Sequence, residues 1–172
     1  MEQQDQIINR VATSSLITFD LEDLYQPGER VLIDIKDQLF QELILKEKDF
    51  RDFIRQQDWS QYKDKYVAIT CSADAIIPHW AFMLVTLAVR PFAKQVVLGT
   101  LEVLETALFH DVLSKIEWSK FKDEKVVVKG CSKVLVPTAV YVEVARELQP
   151  VVASLMFGEP CSTVPLYKRP KA

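Results

Sequence analysis

Three cysteines are the residues of this chain best equipped for chemistry, and each is followed by serine: Cys71-Ser72, Cys131-Ser132 and Cys161-Ser162. A thiolate is both a nucleophile and a soft-metal ligand. A following hydroxyl or backbone N–H that donates to the sulfur would favour the charged form. Three thiolates converging on one point suit zinc, iron or an iron–sulfur cluster and leave a fourth ligand to be found. His79, just after Pro78, is the first candidate, with Asp74 in the loop after Cys71 and Glu102 as alternatives. Two other readings compete. One low-pKa cysteine can serve as nucleophile or persulfide acceptor in an enzyme or sulfur carrier. The cysteines of an interaction module can also simply pack the core, as free cysteines commonly do. The spacing holds no Cys-x-x-Cys and so matches no known zinc finger.

The cysteines recur because their surroundings do. Trp59-Ser60-Gln61-Tyr62-Lys63-Asp64 leads into Cys71, and Trp118-Ser119-Lys120-Phe121-Lys122-Asp123 leads into Cys131. Pro78 and Pro137, Pro91 and Pro150, and Gly99 and Gly158 all stand 59 residues apart, with Gly130 as an inserted residue. A period of this size reads as an internal duplication of a strand–loop–helix–strand unit. Trp59 and Trp118, at equivalent places before a strand, read as packing residues.

Each repeat carries the same signals. Tyr66–Thr70 and Lys125–Lys129 are short apolar runs of the kind found in buried parallel strands. Pro78 sits where a helix start tolerates proline, and Pro91 ends that helix. His79–Val89 is apolar almost all round, as expected of a helix packed on both sides, and Thr138–Leu148 is its counterpart. Strands follow at residues 95–99 and 153–157. Leu101–Ile116 reads as a linking helix with Leu101, Leu104, Leu108, Val112 and Leu113 on one stripe, and His110 within it as structural or solvated. The alternation of strand and helix argues for an α/β fold: a largely parallel sheet with helices on its faces.

Before the repeats, residues 16–21 and 30–35 read as strands around the Pro27-Gly28 turn, and Lys46–Gln57 as an amphipathic surface helix. The expected organisation is therefore a single domain over 1–172. Residues 16–58 form an N-terminal α+β extension packed on the core, 59–117 the first repeat, and 118–172 the second repeat and a C-terminal loop. Residues 1–15 read as polar and loosely docked. The tail around Cys161, rich in proline, reads as a fixed, shaped loop crossing the carboxyl edge of the sheet, where parallel sheets bind ligands.

Composition narrows the classes. With 172 residues, 49% apolar and 26% charged, the chain has ordinary globular chemistry. A net charge of −3 provides no basic field for nucleic acid. Four glycines include no phosphate-binding loop, so no nucleotide is expected. The acidic N-terminus and the short apolar runs predict a cytoplasmic protein without membrane spans. An odd number of cysteines argues against a disulfide scaffold. The apolar surface of the linking helix would allow a homodimer.

At Ile69-Thr70-Cys71-Ser72-Ala73-Asp74-Ala75, Val128-Lys129-Gly130-Cys131-Ser132 and Met156–Pro165, the chain resembles an uncharacterised bacterial family, domain of unknown function 2480. The likeness extends through Ile33-Asp34-Ile35-Lys36-Asp37 and Leu101–Thr106 to essentially the whole chain. The resemblance implies a role beside iron–sulfur assembly proteins, in cluster or sulfur handling, as an accessory rather than an enzyme of known type. It also implies threonine at the position of His79, matching Thr138. That favours Asp74, water or a partner residue as the fourth ligand.

Overall fold

The computed structural model describes residues 16–130 and 133–170. The expectation for residues 1–15 lies outside the described residues, as do Cys131 and Ser132. The fold is mixed α/β: seven strands, mostly parallel, and four α-helices among the described residues. In chain order these are β1 (Leu16–Asp20), β2 (Arg30–Asp34), α1 (Glu47–Gln56), β3 (Tyr66–Thr70), α2 (His79–Val89), β4 (Gln95–Leu98), α3 (Leu101–Leu113), β5 (Lys125–Lys129), α4 (Thr138–Leu148), β6 (Ser154–Glu159) and β7 (Ser162–Lys168). The chain divides into two compact units, Gln26–Phe109 and Met1–Tyr25 with His110–Ala172.

The strands fall into two sheets, ordered β2-β3-β4 and β1-β5-β6-β7. Each sheet takes its first strand from the N-terminal segment. Arg30–Asp34 runs parallel to Tyr66–Thr70, and Leu16–Asp20 parallel to Lys125–Lys129. The elements of the two units recur at the offset of 59 seen in the sequence: strands start at 66 and 125, helices at 79 and 138, the next strands at 95 and 154. Asp64 and Asp123 both adopt left-handed angles, φ 61° and 64°, just before these strands. Their N–H groups donate to Phe92 and Val151, also 59 apart.

In the Gln26–Phe109 unit the sheet is covered on both faces. Successive strand residues point to opposite sides. Val67 and Ile69 of β3 pack with Phe50 of α1 and with Ala81, Val85 and Val89 of α2. Tyr66 and Ala68 pack with Leu104 and Leu108 of α3. This double burial is why the strand reads as a continuous apolar run rather than an alternating one. Burial on α2 follows one stripe, spaced by four residues. Met83 and Leu87 are 63% and 70% exposed, so the expectation of a helix packed on both sides is corrected: its opposite side meets solvent.

In the other unit, Val126, Val127 and Val128 of β5 are all buried, as are Val140, Val144 and Leu148 of α4. Phe19 meets Trp118 and Phe121 with ring centroids 5.7 and 5.6 Å apart. The proline-rich tail is a hairpin strand, not a loop. β7 pairs antiparallel with β6 across Pro160-Cys161, with a register shift at Leu155/Met156. Two features hid it. β7 is an edge strand, where Pro165 costs no ladder bond to a further neighbour. Gly158, at φ +116°, permits the approach to Ser162, whose carbonyl oxygen would lie 2.7 Å from an added Cβ.

Candidate functional site at the carboxyl ends of the strands

In a parallel sheet, the strand carboxyl ends are where loops and helix starts can meet a ligand. In the Gln26–Phe109 unit this edge carries Asp34 at the end of β2 and Cys71-Ser72 directly after β3. Ile35 N–H donates to the Thr70 carbonyl at 2.9 Å, extending the pairing to the mouth of the edge. Asp34 then organises the loop. Its Oδ1 accepts from the N–H groups of Lys36 and Ser72, each at 3.1 Å, and its Oδ2 accepts the Ser72 hydroxyl at 2.5 Å. Ser72 therefore spends both its donors on a carboxylate, which corrects the expectation that it donates to the Cys71 sulfur. Cys71 itself is half-buried and packs against the core cluster containing Ile33, Ile69 and Val85.

Burial pushes the Asp34 carboxyl upward, but the Ser72 hydroxyl, the N–H groups of Ser72 and Lys36 and the Lys36 charge outweigh it and hold the group below the usual value of 3.8. A depressed native pKa contributes stability that is present above the unfolded value and is lost as pH falls through the native one. Asp34→Asn should therefore flatten the acid limb of the stability–pH curve. Asp34→Ala should cost about 1 kcal/mol at neutral pH, the usual net scale of an intramolecular hydrogen bond. Denaturant titrations from neutral to acid pH would measure both, and an unchanged acid limb in Asp34→Asn would contradict the assignment.

The other unit uses the same device differently. Asp20, at the end of β1, accepts the Glu22 N–H at 3.0 Å through Oδ1. Its Oδ2 pairs with the Lys129 ammonium at 3.0 Å, and Glu159 lies 3.8 Å from the same ammonium. Asp20, then Glu159 and Glu22, raise the Lys129 pKa. Glu22 also accepts the Lys133 N–H at 2.8 Å. Gly130 fits because an added Cβ would stand 2.9 Å from the Tyr141 hydroxyl oxygen and 3.2 Å from Leu21 Cβ. Asp20, Glu22, Lys129, Gly130 and Glu159 line a space of about 10 Å³. The edge beside Ser72 opens instead into a pocket of about 560 Å³ lined by Lys36, Asp37, Leu39, Glu42, Ser72 and Ala73.

The sequence-predicted residues are distributed as follows. Cys71 lies in the Gln26–Phe109 unit, with Asp74 exposed in the loop beyond it and His79 exposed as the first residue of α2. Cys161 is exposed at the tip of the β6–β7 hairpin in the other unit. Among the described residues, no three His, Cys, Asp or Glu side chains are gathered as a metal would require. His110 pairs with Glu143 at 2.7 Å and is mostly exposed, in keeping with a structural or solvated role.

A match to the family described as Protein of unknown function (DUF2480) spans residues 5–169. The chain belongs to the DUF2480 family. No curated protein and no solved structure matches it. In this DUF2480 member, sequence reasoning missed Asp34, its bond to Ser72, and the pocket residues Lys36, Asp37 and Glu42. One signal was available: Asp20-Leu21-Glu22 and Asp34-Ile35-Lys36 both place aspartate at a strand end before a tight turn. Aspartate favours such positions because its side chain accepts the N–H two residues on. Among the described residues of the DUF2480 chain, no helix is long and apolar enough to cross a membrane.

Proposed function

We propose that the protein binds a soft metal, zinc or iron, or an iron–sulfur cluster through its cysteine thiolates, and serves as a cytoplasmic accessory to iron–sulfur assembly. One observation carries this reading: every cysteine follows the carboxyl end of a parallel strand. Cys71 comes directly after β3. Cys161 comes two residues after β6, and in the chain Cys131 comes two residues after β5. β5 and β6 are adjacent and parallel, and neighbouring strands run about 5 Å apart. Thiolates from adjacent strand ends suit a metal that prefers sulfur. Cys71 stands at the corresponding place after β3 of the other sheet. The remaining position falls to Asp74, His79, water or a group from an iron–sulfur assembly partner. Replacing any one cysteine by serine should lower the metal content of the purified protein by more than half, an effect in keeping with the loss of one ligand from a closed site. Full occupancy in Cys161→Ser would remove the three-thiolate reading.

A further inference from the structure

We infer that the pocket beside Ser72 binds a small zwitterion of the amino-acid class, one that carries an ammonium and a carboxylate together. Its volume, about 560 Å³, falls in the range of small-molecule sites, roughly 300–1,000 Å³. It opens at the carboxyl end of parallel strands β2 and β3, where ligands of such sheets bind. Its lining sets the class. Lys36 offers one cation and Asp37 and Glu42 two carboxylates, with Leu39, Ser72 and Ala73 completing the lining. Lys36, whose charge also acts on Asp34, and Asp37 and Glu42 make no ion pair within 4 Å among the described residues. An anion alone would meet two carboxylates, and a cation alone would meet Lys36. A zwitterion satisfies both, and the lining's net charge of about −1 favours one with an extra cation.

Two further features fit a built pocket rather than a chance groove. Ser72 is fixed by Asp34 through two hydrogen bonds, so one wall is ordered in advance. Another part of the lining, Glu42, sits in a tight turn where consecutive non-glycine residues, Gln41 and Glu42, hold φ of 51° and 59°. That conformation costs energy and persists where the surrounding structure enforces it. The inference stands apart from the cysteine reading, since no cysteine among the described residues lines the pocket.

Titration calorimetry on the full chain tests it, with glycine, L-lysine and L-glutamate as zwitterions and acetate and methylammonium as single-charge probes. The expected result is heat from glycine and L-lysine, L-lysine tighter than L-glutamate, and no saturable heat from acetate or methylammonium. Lys36→Ala and Glu42→Gln, both exposed and tolerant of change, should each weaken L-lysine binding roughly tenfold, the scale of one lost charge-assisted hydrogen bond. Lys120→Ala, in the other unit, should leave it unchanged. Absence of saturable heat from every amino acid would overturn the inference. Equal binding of methylammonium, or Lys36→Ala and Glu42→Gln variants with undiminished affinity, would overturn it as well.

Discussion

Phe50→Ala should cost the protein about 4 kcal/mol, the usual scale for a large aromatic deleted from a core. Phe50 is the only buried residue of α1 and is fully inaccessible to solvent. Its ring meets Trp80 at 5.9 Å in an edge-on arrangement and Phe53 at 5.8 Å, within the cluster that holds Ile33, Val67 and Val85. Phe53 and Ile54 of α1 are only partly buried against this cluster, so Phe50 is the main anchor of the helix to the β2–β3–β4 sheet. The lost ring removes both apolar burial and its aromatic contacts, and parallel strands paired on either side of β3 cannot collapse far into the gap. Phe50→Leu should lose less, about 1.5 kcal/mol, because most of the volume is kept. Urea denaturation followed by tryptophan fluorescence, which reports Trp59, Trp80 and Trp118, measures the difference. A loss in Phe50→Ala below about 1 kcal/mol would show that α1 is not anchored as described.

Arg30→Ala should lose about 3 kcal/mol, the low end for breaking a buried ion pair. Arg30 grips Glu105 through two parallel hydrogen bonds, Nε to Oε2 and Nη2 to Oε1, both 2.9 Å. A third donor, Nη1, reaches the Gly28 carbonyl at 2.7 Å, and the guanidinium lies 5.0 Å from the centre of the Tyr66 ring. The side chains are only 13% and 12% exposed. Removing the arginine leaves the Glu105 carboxylate desolvated and unpaired, which costs more than the pair itself contributes. Arg30→Lys keeps the charge but loses the fork, and should fall between wild type and Arg30→Ala. The double variant Arg30→Met with Glu105→Leu should recover most of the loss, since two apolar side chains leave no orphaned charge. Denaturant titration of the three variants separates these outcomes, and a double variant as unstable as Arg30→Ala would contradict the argument.

The elements most legible in the sequence were those whose signals are local. The Pro78 and Pro137 starts, the continuous apolar strands and the 59-residue offset placed β3, α2, β5 and α4 within a residue of their ends. The partition into two sheets was not legible, because strand pairing is a choice among distant partners and periodicity carries no record of it. Leu16–Asp20 and Arg30–Asp34 have similar apolar patterns, yet one joins β5 and the other β3. β7 was hidden by Pro160 and Pro165, which read as punctuation until the strand's edge position excuses them. At the site, the place of Cys71 after a strand was readable from residues alone. The Asp34–Ser72 anchor spans 38 residues and depends on β2 lying beside β3, so only the folded sheet brings it together.

Elemental analysis, with an absorption spectrum, of protein purified without air and without added metal tests the cysteine proposal most directly. The proposal predicts about one equivalent of zinc, or iron with a visible sulfur-to-iron band. Metal-free protein in which Cys71, Cys131 and Cys161 all titrate as free thiols would contradict it.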